Sequence, residues 1–393
     1  MRGFSSPFAR LLLMAVVLTF APPIGQAIIL DRTADPAANT TAPGGPLAGS
    51  GWQFEGQWGA FLGTPIAPHF FLSAKHIGQA GSVYTLDGIN YTLVRAFGDP
   101  TSDLDLWQVA ETFPSFAALY TTSDEVGKFT LVIGRGTQRG SDVFVNGNPS
   151  GWNWGASDGV QRWGGNAVHS IVTLSPDNEF IYATFDALGL AEEATLSSGD
   201  SGGAAFIQDG GVWKLAGIHY AVDGPFYLDD AGSGGFNGAL FDSRGLYLSD
   251  EMSPPNYLLI TGPNPVPSGF YSSRISSRLA WIYSVTDPAG DLERDGISNL
   301  LEYAFHNSPI AADNARLPVV ALESGFITLT YFKVTTAADI VYVVEQSSDL
   351  ATWTTSSPTN EIIATNGNVQ TIKAKVPLNG ATRFFLRLRI MRL

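Results

Sequence analysis

Between residues 52 and 250 the apolar positions fall in short runs broken by glycine, and no long segment repeats at the helical spacing. Gly59–Gly63, His69–Ser73, Tyr91–Val94 and Leu131–Ile133 read as strands, as do Ala204–Ile207 and Val212–His219. Their close succession predicts an all-β barrel or sandwich. Thr33–Gly51 is an irregular lead-in, and Gly151–Asn166 reads as a set of Gly/Trp loops. Ser253–Ser268 is Pro-rich and reads as a linker. Beyond it Ile275, Leu279 and Ile282 fall at helical spacing and stop before Asp287-Pro288. Ile297, Leu300, Leu301 and Ala304 make a second helical stripe. From Pro318 the pattern alternates again. Tyr342–Glu345 is a strand, and in Arg383–Ile390 the residues Phe384, Leu386, Leu388 and Ile390 share one face while Arg387 and Arg389 share the other. The expected organisation is a leader over 1–27, a β domain over 28–252, a linker over 253–270, a helical segment over 271–312 and a small β-sandwich over 313–393.

Met1–Ala27 has the form of a secretory signal. Arg2 and Arg10 precede or flank an apolar run, Leu11–Phe20, that is too short to span a bilayer, and Gly25-Gln26-Ala27 offers small residues for cleavage. No later stretch is apolar enough to span a membrane. The formal charge of −14 becomes −16 once the two arginines leave with this segment, which argues against nucleic acid or an anionic membrane as partner. There is no cysteine, so neither a disulfide framework nor a thiol nucleophile is available. The expected location is secreted, periplasmic or cell-surface.

The chemistry concentrates in Gly199-Asp200-Ser201-Gly202-Gly203. A serine hydroxyl is a weak nucleophile until a base takes its proton and N–H groups receive the oxyanion. A glycine two residues ahead lets the Gly199 and Ser201 amides converge on one point. The base and its orienting acid are found upstream. Phe71-Leu72-Ser73-Ala74-Lys75-His76 ends an apolar run in histidine, and Asp103-Leu104-Asp105-Leu106-Trp107 opens a strand on aspartate. In order and content these three stretches resemble the trypsin/chymotrypsin-like serine protease family over roughly residues 28–250. The absence of a cysteine after His76, where Ile77 stands, makes a bacterial member the expected form.

The resemblance implies a trypsin-like double β-barrel and an endopeptidase that acts on protein or peptide through an acyl-enzyme, with no cofactor for catalysis. His76 would be the base, Asp103 its orienting acid in preference to Asp105, Ser201 the nucleophile, and Gly199 and Ser201 the oxyanion donors. Thr195, six before the serine, would stand at the base of the specificity pocket, and Val222 would narrow it, favouring a small or medium uncharged side chain. Tyr220-Ala221-Val222 replaces the family's Ser-Trp-Gly. A free Ile28 terminus would pair with Asp200. His219 reads as a strand histidine near the cleft. Two rival readings are a non-catalytic trypsin-fold binding module and a narrow processing protease or esterase.

Asp291-Leu-Glu293-Arg-Asp295-Gly296-Ile297-Ser-Asn299-Leu-Leu-Glu302 carries glycine at the sixth and glutamate at the twelfth position of an EF-hand-like loop. Asp291, Glu293, Asp295, Asn299, Glu302 and the Ile297 carbonyl are its candidate Ca²⁺ ligands. This block and the sandwich after it are similar to dockerin-like C-terminal appendages of exported bacterial proteins.

Overall fold

The computed structural model describes residues 28–393 apart from 157, 176–177, 251, 292–293, 308–314, 336, 338–339, 381–382 and 393. The leader therefore lies outside the described residues. The chain is mainly β, with one closed six-stranded barrel and several further sheets. It divides into two compact units. One holds the residues up to Gln108 and Phe113–Leu279; the other holds Val109–Thr112 and Ala280–Leu393.

In the first unit, β1 (Gly56–Trp58), β2 (Phe61–Ala67), β3 (Phe70–Ala74), β4 (Val83–Leu86), β5 (Ile89–Gly98) and β6 (Leu104–Val109) close a barrel in the order β1-β2-β3-β6-β5-β4. Aromatic rings fill it. Phe71 stacks on Tyr84 at 4.2 Å between centroids, and Trp58 meets Phe71 and Trp107 edge-on. The second sheet is built from β7 (Phe129–Gly134), β8 (Arg162–Ala167), β9 (Ser170–Ser175), β10 (Asn178–Thr184), β11 (Ala204–Asp209), β12 (Val212–Val222) and β13 (Gly269–Arg274). Its order is β8-β7-β11-β12-β13-β10-β9, with Ala118–Leu119 pairing β12 in parallel.

Two expectations change here. Gly151–Asn166 is not a run of loops: it contributes to the strand Asn148–Trp154 and to β8. Its glycines allow close strand approach, since a Cβ at Gly151 would lie 2.2 Å from the Ala239 carbonyl oxygen. Nor is 253–270 a free linker. Tyr257–Leu259 pairs with Tyr247–Ser249, and β13 starts at Gly269 with all six of its residues buried between β12 and β10. The boundary expected between linker and helical segment at 270/271 falls inside this strand. A buried ion cluster holds this strand's end. Arg274 grips the fully buried Glu125 through two nitrogens, at 2.9 and 2.6 Å, and reaches Glu179 at 2.6 Å.

The helix expected from Ile275 begins later, as α1 (Leu279–Thr286). α2 (Asn299–Phe305) carries the second stripe. β14 (Val319–Glu323), β15 (Phe326–Val334), β17 (Thr359–Asn366) and β18 (Val369–Pro377) form one sheet. β16 (Ile340–Ser347), β19 (Phe385–Arg392) and Thr354–Thr355 form another. Leu329, Tyr331, Ile372 and Ala374 from the first meet Val344, Leu386 and Leu388 from the second, the core of a small sandwich. On β19 the alternation holds: Arg387 and Arg389 both pair with Glu345. Tyr303, Ala304 and Phe305 of α2 share a core with Val334 and Ile340, so helix and sandwich are one body.

Candidate active site

His76 sits on a single helical turn, Lys75–Ile77, directly after β3. Asp103 ends the loop that leads into β6, which pairs with β3, so the ladder itself brings the two residues together. The Asp103 carboxylate accepts the His76 backbone N–H at 2.8 Å and meets His76 Nδ1 at 2.6 Å. His76 Nε2 lies 2.8 Å from Ser201 Oγ. The Asp103 loop is braced by Asp99, which accepts the Thr101 N–H and the Ser102 hydroxyl and is clasped by Arg278 at 2.6 and 2.7 Å. Lys75 Nζ donates to the Asp99 carbonyl at 2.6 Å. Asp105, the rival for the acid's role, does not face solvent. It is 8% exposed, and burial pushes its carboxyl up to about 6 while Lys75 pulls it down and Asp103 adds to the rise.

Ser201 is carried on a tight turn. Gly199 (φ +96°) and Gly202 (φ +78°) take backbone conformations that favour glycine. Gly203 is crowded: a Cβ there would fall 2.2 Å from the Ile133 carbonyl oxygen. Among the described residues, the Gly199 and Ser201 N–H groups donate to no backbone carbonyl, while Asp200, Gly202 and Gly203 all do. Asp200 pins the turn from below. Its carboxylate accepts N–H groups from Gly136 at 2.6 Å, Ser197 at 2.8 Å and Ile28 at 3.3 Å, and the Ser197 hydroxyl at 3.1 Å. Burial pushes Asp200 up to about 6 against these bonds, which pull it down. Sequence reading missed Gly134 and Gly136. A Cβ at either would lie within 2.4 Å of an Asp200 carboxylate oxygen, so glycine is what admits the carboxylate.

Thr195 is buried opposite Ile29 in the short ladder of Ile29–Leu30 with Ala194–Thr195. Its neighbours Ala194 and Leu196 share an apolar cluster with Ile28 and Leu30, and half-buried Val222 packs on that cluster. His219 is buried and hydrogen-bonds Ser272 Oγ through Nδ1 at 2.9 Å; burial pushes its imidazole down to about 3, so it stays neutral. Tyr220, which the sequence marks only as a departure from the family pattern, stands edge-on to the His76 ring at 5.6 Å.

In the candidate calcium loop the backbone turns at Gly296 (φ +87°), and Asp291 accepts the Asp295 and Gly296 N–H groups at 3.2 and 3.0 Å. Asp295 accepts the Ile297 N–H. The Asn299 amide nitrogen donates to the Ser284 and Asp287 carbonyls, which end α1 and need donors, while its Oδ1 is buried without a hydrogen bond among the described residues. Glu302 is buried, and Glu293 lies outside the described residues. Among the described residues, which do not include Glu293, no group of three or more acidic, imidazole or thiol side chains is placed to hold a metal ion.

No protein family and no curated protein matches the chain. Among solved structures it is similar to kallikrein-related peptidase 10, at 12% identity and a TM-score of 0.34, over 60% of this chain and 97% of that chain. Among the described residues no helix is long and apolar enough to cross a membrane.

Proposed function

We propose that this chain is an exported serine endopeptidase. The observation that carries the reading is the unbroken relay from Asp103 through His76 to Ser201, with contacts of 2.6 and 2.8 Å. Ser201 Oγ attacks the scissile carbonyl carbon while His76 Nε2 takes its proton. Asp103 holds the Nδ1–H tautomer and stabilises the imidazolium that forms. The Gly199 and Ser201 N–H groups receive the oxyanion. His76 then returns the proton to the leaving amine, and water hydrolyses the acyl-enzyme by the same relay. Thr195 and Val222 offer no charge, so an uncharged small or medium side chain is the expected preference, and a peptide library favouring arginine would overturn it.

The test is labelling by a fluorophosphonate of the chain beginning at Ile28, beside Ser201→Ala and His76→Ala. Labelling of the parent alone supports the reading. A folded parent that stays unlabelled both with and without the leader favours the binding-module alternative. Export predicts that the mature protein's N-terminal residue is Ile28, as N-terminal sequencing would read.

Calcium binding in the second unit is a separate proposal. Asp291, Glu293, Asp295, the Ile297 carbonyl and Glu302 would have to draw together, so binding should appear in isothermal titration of the full chain together with a fluorescence change. Titration without heat would remove the proposal.

A further inference from the structure

The register of β12 breaks at Tyr220. His219 lies opposite Ser272 of β13, yet Ala221 lies opposite Tyr271, the next residue along, so the strand carries a bulge at Tyr220. Paired residues share a face, and neighbours on β13 face opposite ways. The bulge therefore keeps His219 inside and turns Ala221 to the other face, the one that bears Tyr271 and, through the β13–β10 ladder, Tyr182 and Phe180. The Tyr220 ring lies on that face, stacked on Phe180 at 4.8 Å and 26°. Phe180 is 1% exposed and meets Tyr271 edge-on at 6.5 Å. Tyr271 and Tyr182 in turn donate their hydroxyls to Asp223, each at 2.8 Å, and Asp223 also accepts the Gly269 N–H. A continuous stack thus runs from an anchored carboxylate through Tyr271, Phe180 and Tyr220 to the imidazole of His76.

We infer that Tyr220 is a positioning residue for His76. The inference rests on the proposed function, and it names what holds the base in place. Hydrogen bonds fix the two ring nitrogens of His76, but the side chain stands at the surface with 34% of its area exposed. Once protonated, an imidazole at such a site is drawn towards water. Tyr220, itself unable to tilt because Phe180 lies against it, blocks that swing and keeps Nε2 aimed at Ser201. Alternation from His219 places Tyr220 on the Phe180 face, and the bulge puts Ala221 on that face beside it.

The experiment compares the parent with Tyr220→Phe and Tyr220→Ala, with Tyr220→Leu as the variant that preserves apolar volume against Phe180. Steady-state kinetics over pH on a peptide ester should show Tyr220→Phe within twofold of the parent. Tyr220→Ala and Tyr220→Leu should lose about tenfold in kcat, equivalent to about 1.4 kcal/mol of barrier, with KM little changed and the acid limb of the profile displaced. Wild-type kcat and an unmoved acid limb in both variants would overturn the inference, as would a loss confined to KM. A readout independent of turnover is the His76 Nδ1–H proton resonance in Ser201→Ala protein. It should persist with Tyr220 intact and with Tyr220→Phe, which keeps the ring, and broaden with Tyr220→Ala and Tyr220→Leu. A sharp resonance in all of them would refute positioning even if the protein proves to have no peptidase activity.

Discussion

Asp200 is a buried carboxylate whose described partners are all neutral donors, and the backbone N–H of Ile28 is one of them. A chain that begins at Ile28 would put an ammonium group where that N–H stands, 3.3 Å from the carboxylate. The rise of the Asp200 carboxyl from 3.8 to about 6 is roughly 2 pKa units, or about 3 kcal/mol set against its ionised form. Because the folded-state value is raised, the extended chain binds this proton more tightly when folded. Its stability is therefore highest below the unfolded carboxyl value and falls as pH rises from about 4 through about 6. The ammonium removes that penalty. The difference between the two forms should be most unfavourable to the chain starting at Ile28 near pH 3, where Asp200 is neutral and the ammonium has no counter-charge, and should shift in its favour through pH 4–6 by about 3 kcal/mol. Urea unfolding followed by tryptophan fluorescence, on that chain and on one retaining Ala27, measures the difference. A gap that is the same at pH 3 and pH 7 would refute the reasoning, because the charge of Asp200 would then have no part in it. In the same pair, the form retaining Ala27 should react far more slowly with the fluorophosphonate, since the Ser201 turn hangs on Asp200; equal rates would show that the pairing is not needed for activity.

Asp103→Asn should lower kcat by about 10⁴ by favouring the wrong His76 tautomer, whereas Asp105→Asn should leave kcat within a few-fold; equal losses on a peptide ester would reverse the assignment. Asp105→Asn should also gain stability on the parent as pH rises from 4 to 7 and match it near pH 4, because burial raises the Asp105 carboxyl to about 6 and its ionised form is disfavoured on folding; urea midpoints at the two pH values read this. Arg274→Met leaves the charge of Glu125 buried without its partner and should cost about 3–5 kcal/mol in urea unfolding, while a loss under about 1 kcal/mol would mean that Glu125 takes up a proton instead. Gly136→Ala drives a methyl against Asp200 and should cost about 1–3 kcal/mol together with fluorophosphonate reactivity, and a fully reactive variant would show that the Asp200 cradle can relax.

The relay was legible because its chemistry is local. His76 closes an apolar strand, Asp103 opens one, and the glycines around Ser201 announce a strained turn. What surrounds the relay is assembled over distance and leaves little trace in a short window. Gly134 and Gly136 matter only because Asp200, more than sixty positions later, packs against them. The strands within Gly151–Asn166 hid because glycines chosen for close backbone approach look like turn residues. β13 straddles the boundary expected between linker and helical segment at 270/271, and no short window shows that Ser272 lies buried against His219. The bulge at Tyr220 depends on pairing with that same unrecognised strand. The burial of Asp105 could not be read from alternation, which assumes one wet face, whereas every residue of β6 is covered. In the candidate calcium loop the spacing marked the turn at Gly296, but spacing could not foresee that the end of α1 would take the Asn299 amide nitrogen.

The lateness of β13 sets the timetable on which the proposed enzyme can come into being. Its hydrogen-bonding neighbours, β10 and β12, leave the ribosome well before Gly269–Arg274 does, and in the sheet they are hydrogen-bonded to each other only through it. The barrel that presents His76 and Asp103 is complete after β6, so half of the relay can form early. The half that carries Ser201 cannot settle until the last strand of the unit arrives and threads between its neighbours. On the proposed reading the relay is incomplete during synthesis until this strand arrives, so activity would appear only with the last strand of the unit.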